Sequence, residues 1–392
     1  MGHYPYLIVG GGMTAAAAIQ GIREVDSVGA IGLIGSEQHP PYKRPPLSKA
    51  LWKGKSQESI WINTRQQGIE LVLGRKVHKL DVEHKQVTDD NGTIYTFDKL
   101  LLAMGGTPRR FPWGGDDVIY YRTLDDYQRL RELAAQGQHF AVIGGGFIGS
   151  EIAAALAMNG KEVTLLFPGT GIGAHLFGPE LSAFLNEYYQ QHGVVVLSGE
   201  TAVDLGRRDG KIALKLRSGR ELLVDGVVAG LGIEPNTALA RAAGLQVDDG
   251  IVVDTLLRSS HPDIYAAGDV ANFANPALGK RLRVEHEDNA NTMGKYAGHN
   301  MAGAQEAYDY LPFFYSDLFD LGYEAVGELD ARLDMVADWK DPLREGVLYY
   351  LRDGRVRGVL LWNVWEQVDA ARHLIAEPGP FAPEDLRGRL PR

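Results

Sequence analysis

The stretch Leu7-Ile8-Val9-Gly10-Gly11-Gly12-Met13-Thr14-Ala15-Ala16-Ala17-Ala18 decides the fold. Three apolar residues run into a glycine turn, and an Ala-rich run follows. The pattern recurs as Ala141-Val142-Ile143-Gly144-Gly145-Gly146-Phe147-Ile148-Gly149-Ser150-Glu151-Ile152. Each copy reads as a strand, a tight turn and a helix. A second apolar run follows each copy, at 30–34 and at 163–167. Two such βαβ units predict an α/β fold with two parallel sheets.

Working outward, 69–73 and 99–103 read as further strands, and Asp89-Asp90-Asn91-Gly92 as a hairpin turn. Helices are expected at 124–135 and 180–191. A strand is expected at 194–197, then a hairpin turning at Asp209-Gly210 and Ser218-Gly219, then a buried strand at 227–230. From Leu311 the texture changes. Strands at 347–351 and 357–361, joined by Asp353-Gly354, and a helix at 364–375 predict a separate α+β module. The Pro- and Arg-rich tail from Glu377 either closes that module or frays.

The 392 residues suffice for two or three domains. With 45% hydrophobic and 23% charged residues the composition is that of a soluble globular protein. The chain has no cysteine, which excludes a disulfide framework, a Cys-ligated metal or cluster and internal dithiol chemistry. No metal site is expected. The net charge of −10 argues against nucleic-acid binding, which needs an excess of Lys and Arg on one face. No run of about 18 apolar residues suggests a membrane span, and no targeting segment is evident before the first strand. The expected location is the cytoplasm, as a monomer or homodimer.

The glycine turns carry the chemistry. In Gly10-x-Gly12-x-x-Ala15, glycine allows the tight turn and lets a pyrophosphate approach the backbone at a helix N-terminus. An acid at the end of the second strand would bind the adenosine ribose. Glu37 fits, although its spacing exceeds the usual 20 or so residues, so the loop 26–29 must absorb the excess. Gly144-x-Gly146-x-x-Gly149 has the same logic without its acid. After Phe167 the chain reads Pro168-Gly169-Thr170-Gly171-Ile172-Gly173, with neither a carboxylate for a 2′-hydroxyl nor a cation for a 2′-phosphate. NADH is expected over NADPH. A buried strand ending in Gly268-Asp269 places Asp269 to accept from a polyol hydroxyl. Taken alone, Asp269 also reads as a helix N-cap.

These residues bring a family into view. The chain resembles the FAD- and NAD(P)H-dependent pyridine nucleotide-disulfide oxidoreductases, of the apoptosis-inducing factor and ferredoxin, putidaredoxin or rubredoxin reductase type. The resemblance rests on Arg44-Pro45-Pro46-Leu47-Ser48-Lys49, Leu101-Leu102-Ala103-Met104-Gly105, Thr107-Pro108-Arg109, Gly144 to Glu151, Gly232-Ile233-Glu234-Pro235-Asn236, Ala267-Gly268-Asp269, Val284-Glu285-His286 and Phe314-Tyr315-Ser316-Asp317. It implies two Rossmann-like domains in a glutathione reductase-like arrangement, plus a C-terminal α+β domain. FAD would occupy 1–113 and 240–304, the nicotinamide cofactor 114–239, and 305–392 would form the last domain. Arg44, Lys49, Gly105, Arg109 and Asp269 would contact FAD, and Lys49 would pair with Glu151 beside flavin N5. Phe147, with Ile148 next to it, would lie where nicotinamide enters. Gly232 and Glu234 would line the NAD loop. Glu285 and His286 would start the helix that faces the flavin pyrimidine, and Tyr315 would stand in place of a family tryptophan. Lys49, Glu151 and His286 are the catalytic candidates.

Elementary electrostatics agrees with these roles. Hydride arriving at N5 leaves negative charge on the ring, which a helix N-terminus stabilises. A lysine by N5 needs a carboxylate partner in a low-dielectric site. Outside that context Lys49 is a solvated lysine, Glu151 a first-turn acid and His286 a packed or surface histidine. Arg281 and Arg283 read as a docking patch or as a solvated face. Tyr315, Trp362 and Trp365 are candidates to cover the flavin face, or core aromatics. Met104 replaces a family threonine. The sequence therefore supports an NADH-dependent flavoenzyme that passes electrons to an electron-carrier protein, a quinone or oxygen. The alternative is a redox-responsive interaction protein that forms a stable reduced flavin–NAD complex.

Overall fold

The computed structural model describes residues 2–64 and 68–391. The chain divides into two compact units. One comprises Met1–Lys43, Gln57–Thr107 and Glu234–Pro312, the other Arg44–Ser56, Pro108–Ile233 and Phe313–Arg392.

The first unit is built on a parallel sheet. Strand Gly2–Val9 pairs with Ile31–Gly35 on one side and Ile94–Leu102 on the other. Ile69–Leu73 extends the first edge and Ile264–Ala266 the second. Ile8 stands opposite Leu33 and Leu101, and all three are fully buried. Strands covered on both faces read as continuous apolar runs, as these do. Gln86–Asp89 pairs antiparallel with Ile94–Leu102 about the expected turn at 89–92, and Val77–Asp81 pairs antiparallel with Gln86–Asp89.

Helix Met13–Val25 is Ala-rich because helix Glu287–Met301 lies almost on its backbone. A Cβ on Gly294 would come 2.4 Å from the Thr14 carbonyl, and one on Gly298 2.1 Å from that of Ala18. The loop 26–29 does absorb the long spacing to Glu37. Asp26 accepts from the backbone N–H of Val28 and Gly29 and from the Tyr6 hydroxyl.

The second unit repeats the design. Its parallel strands lie in the order Val194–Ser198, Glu162–Phe167, His139–Ile143, Gly226–Ala229, Val118–Tyr120. The antiparallel strands Ala202–Arg208, Lys211–Leu216 and Glu221–Val224 form the expected hairpin. The C-terminal module is a five-stranded antiparallel sheet, ordered Phe313–Leu318, Leu321–Gly327, Arg355–Trp362, Glu345–Arg352, Asp334–Asp341. Helix Val368–Ala376 covers it.

The helix expected at 180–191 is present, set off by the non-helical Gly178 (φ +76, ψ 170) from a short helical segment that begins at Ala174. One expectation needs correction. The helix expected from 364 begins at Val368, because Asn363 and Glu366 both take positive φ. Of the two readings of the tail, closing the module is the one observed. Leu386 and Leu390 are buried, and the Gly388 N–H donates to the Asp338 carboxylate. Among the described residues no helix is long and apolar enough to cross a membrane.

Segment Arg44–Ser56 belongs to the second unit for a packing reason. Leu47, Leu51 and Trp52 are buried. The Trp52 indole N–H donates to the Leu47 carbonyl and its ring meets Tyr127 edge-on, with the Arg131 guanidinium 4.8 Å from it. Asn159 donates to the Trp52 carbonyl and Tyr121 to that of Leu47. This anchoring fixes where Lys49 points.

Candidate active site

Each glycine turn shows two different uses of glycine. In the first unit, Gly10 has φ +114, and a Cβ there would sit 2.2 Å from the Ala103 carbonyl oxygen. Packing demands that glycine. Gly12 differs: it caps helix Met13–Val25, and a Cβ there would meet nothing within 4 Å. Room is left at the helix N-terminus for a group that is not protein, as a pyrophosphate needs. Gly144 and Gly149 are likewise forced, with Cβ positions 2.3 Å from the Gly230 carbonyl and 1.8 Å from that of Gly144, while Gly146 faces open space. The fully buried Ala15 lies one turn into the first helix, whereas Ile148 is exposed. Both cradles fit a dinucleotide.

Around the first cradle, Glu37 accepts from the Tyr42 hydroxyl at 2.6 Å. Gly105 takes φ +58 and its carbonyl accepts from the Asn236 N–H. The Asn236 amide donates to the Met104 carbonyl and accepts from Thr107. Asn236 thus ties the 104–107 turn to the segment that carries Glu234. Because Met104 contributes its carbonyl, the substitution of the family threonine leaves that tie intact. Gly268 takes φ +75 against Thr14, and Asp269 follows. His286 caps helix Glu287–Met301.

Arg283 donates to Glu285, Asp249 and the Asp269 carbonyl. Arg281 donates to Asn272 and the Val253 carbonyl. Both guanidinium groups are hydrogen-bonded within the unit, with Arg281 exposed and Arg283 partly buried.

In the second unit the loop after Phe167 folds back on helix Ala174–Gln191. Asn186 accepts from the Ile172 N–H and donates to the Thr170 carbonyl. Gly173 bonds to the Gly145 carbonyl of the glycine turn. The Arg109 N–H donates to the carbonyl of Gly232, which has φ +77, and Arg44 donates to the Arg122 carbonyl.

Lys49 and Glu151 meet in this unit. Lys49 Nζ lies 2.6 Å from Glu151 Oε1, with side chains only 13% and 3% exposed. Two hydroxyls complete the carboxylate's partners. Ser48 Oγ lies 2.5 Å from Oε2 and Ser316 Oγ 2.6 Å from Oε1. The Tyr315 ring centroid lies 5.3 Å from Lys49 Nζ, within cation–π range. Three strong donors meet the hydrogen-bonding needs of a buried carboxylate. Ser48 and Ser316 were missed from sequence, although each adjoins a predicted site residue. Phe147 packs edge-on against Phe314, with centroids 5.4 Å apart.

The two tryptophans do not cover this cluster together. Trp362 is fully buried in the C-terminal sheet, stacked on Tyr323, with its N–H donated to the Leu343 carbonyl. It is a core residue. Trp365 is exposed.

The profile of the pyridine nucleotide-disulphide oxidoreductases matches residues 4–294, and that of the apoptosis-inducing factor C-terminal region matches 297–343 and 337–377. The chain belongs to the pyridine nucleotide-disulphide oxidoreductase family.

Its relatives include the 5,5'-dehydrodivanillate O-demethylase ferredoxin reductase subunit of Sphingobium, 36% identical over 91% of this chain and 89% of that one. Another is apoptosis-inducing factor 1, mitochondrial, of Dictyostelium discoideum, 34% identical over 95% and 78%. Among solved structures, the covalent putidaredoxin reductase–putidaredoxin complex superposes with a TM-score of 0.90 at 30% identity, covering 98% of this chain and 95% of that chain. The protein is an FAD-dependent oxidoreductase that uses NAD(P)H. FAD supplies a ring that accepts a hydride and releases electrons singly or in pairs. Residues of the two cradles would hold it and the nicotinamide cofactor.

Proposed function

We propose that this protein passes electrons from NADH through FAD to a small ferredoxin- or rubredoxin-type carrier protein, with quinones and oxygen as secondary acceptors, in the cytoplasm. One observation carries the reading. A buried Lys49–Glu151 pair, walled by Tyr315, stands in a chain that has no cysteine to accept the electrons. The names of the ferredoxin reductase relatives support the same acceptor class. A neighbouring structure captured with putidaredoxin supports it too.

In this reading FAD binds through Gly10, Gly12, Ala15, Glu37, Arg44, Gly105, Arg109, Asp269, Glu285 and His286. Gly144, Gly146, Phe147, Ile148, Gly149, Gly232 and Glu234 serve the nicotinamide cofactor. Lys49 offsets charge on the reduced ring, Glu151 holds Lys49, and His286 heads the helix that stabilises the pyrimidine end. The cofactor domains divide as 1–113 with 240–304, 114–239, and 305–392.

The match of the last module to the apoptosis-inducing factor C-terminal region favours a second reading, a redox-responsive interaction protein. An anaerobic acceptor panel separates the two. Fast NADH-dependent turnover with a carrier protein, and none with glutathione disulfide or lipoamide, supports the enzyme. Turnover with a low-molecular-weight disulfide overturns it. A long-lived long-wavelength absorbance without turnover favours the second reading.

A further inference from the structure

Glu151 can only accept hydrogen bonds when ionised, so the direction of its network is fixed. Ser316 Oγ, 2.6 Å away, must donate its one proton to the carboxylate. Ser316 stands opposite the fully buried Tyr323 on the neighbouring strand. On the other carboxylate oxygen Ser48 has a choice. The Pro45 carbonyl lies 3.4 Å from its hydroxyl and Glu151 Oε2 lies 2.5 Å away, so the carboxylate takes the proton.

The carboxylate is thus gripped from two sides. Ser48 adjoins Lys49 on the Arg44–Ser56 segment. Ser316 lies on the first strand of the C-terminal sheet, next to the Tyr315 whose ring flanks Lys49. Successive residues on a strand face opposite ways. Here the hydroxyl of Ser316 and the ring of Tyr315 nevertheless serve the two partners of one ion pair.

We propose that Ser48 and Ser316 are positioning residues that clamp the Glu151 carboxylate and so hold the Lys49 ammonium at one point. The first strand of the C-terminal module then contributes to holding the Lys49–Glu151 pair. The consequence for flavin chemistry rests on the reading that Lys49 faces the flavin, and the test separates the two ideas.

The experiment uses the FAD-loaded full-length protein as wild type, Ser48→Ala, Ser316→Ala, the double alanine variant and Ser316→Thr. Lysine acylation followed by mass spectrometry reads whether Lys49 is held. Losing a hydrogen bond to a charged group releases Lys49 more often, and its modification should rise about tenfold in the double variant. Ser316→Thr, which keeps the hydroxyl, should restore protection. Unchanged Lys49 modification in the double variant, with other lysines as internal reference, overturns the proposal. If the double variant fails to fold, the single variants decide in the same way. The flavin midpoint potential is read in parallel and should become more negative in the alanine variants. Raised Lys49 reactivity with an unmoved potential leaves the clamp standing and removes Lys49 from the flavin.

Discussion

Lys49 and Glu151 lie 102 positions apart in sequence and share a 2.6 Å hydrogen bond between nearly buried charges. Breaking a buried pair by removing one partner is worse than never having it, because a charge is left without compensation. Lys49→Met should destabilise the protein by about 3–5 kcal/mol. It should also slow flavin reduction by roughly ten- to a thousandfold, the range for losing one electrostatic stabiliser. Lys49→Met combined with Glu151→Gln should recover part of the stability and none of the rate. Chemical denaturation and stopped-flow reduction of the four proteins form the cycle. Wild-type rates in both single variants would remove the pair from the mechanism.

The two helices of the first unit should tolerate almost no added volume. Gly298→Ala would drive a Cβ to 2.1 Å from the Ala18 carbonyl, so the helices must part. Overpacking of this kind costs about 1–3 kcal/mol, more than the roughly 1 kcal/mol of helix propensity gained. A denaturation midpoint that rises in this variant would contradict the packing described.

A histidine bridge between these helices gives unit 1 a pH signature. His299 contacts Glu24 and Glu306 at 2.8 Å each, and Lys295 also reaches Glu24. Burial opposes the charge on His299, but its bonds to Glu306 and Glu24 outweigh that and hold its pKa above the ordinary histidine value. The stabilisation is therefore complete below about pH 6.5 and fades as pH rises through the raised value. Glu24, held down to about 2 chiefly by His299 and Lys295, contributes above about pH 4.5 and loses its contribution as pH falls towards 2. The melting temperatures of wild type and His299→Gln should differ most between about pH 5 and 6.5 and converge at alkaline pH. A gap that widens above pH 8 would reverse the assigned sign.

Nucleotide choice should be open to redesign at one position. Gly169 follows the strand that ends at Phe167, and a Cβ there would meet only the Gly171 carbonyl at 4.0 Å. A side chain fits. Gly169→Glu should improve kcat/KM for NADH, and Gly169→Arg should shift preference towards NADPH by roughly tenfold. An unchanged NADH/NADPH ratio in both variants would place the adenosine ribose elsewhere.

Both glycine turns and both parallel sheets were legible in the sequence because the constraints on them are local. A strand of apolar residues, a φ only glycine adopts and a small-residue helix are all contiguous signals. Ser48 and Ser316 were not legible as ligands of Glu151. They lie 103 and 165 positions away from it, and a serine carries no pattern that points across such a distance. Trp362 stayed open between two readings for the converse reason. A large aromatic in a β-rich segment reads equally as core or pocket wall, and only the sheet register, which sets it against Tyr323, decides. The partners of Arg281 and Arg283 were not legible because their acceptors, chiefly backbone carbonyls and Asn272, Asp249 and Glu285, are brought together only by folding.

Electrons from NADH are expected to leave this protein through its flavin to a carrier protein and not to a thiol. Anaerobic double-mixing stopped flow tests it directly. The flavin is first reduced by one equivalent of NADH and then mixed with an oxidised ferredoxin-type carrier, while the flavin and the carrier are followed at separate wavelengths. Flavin reoxidation should run concurrently with carrier reduction, at a rate that rises with carrier concentration, and glutathione disulfide should not reoxidise it. A flavin that stays reduced with every carrier tried, or one reoxidised by the disulfide, would contradict it.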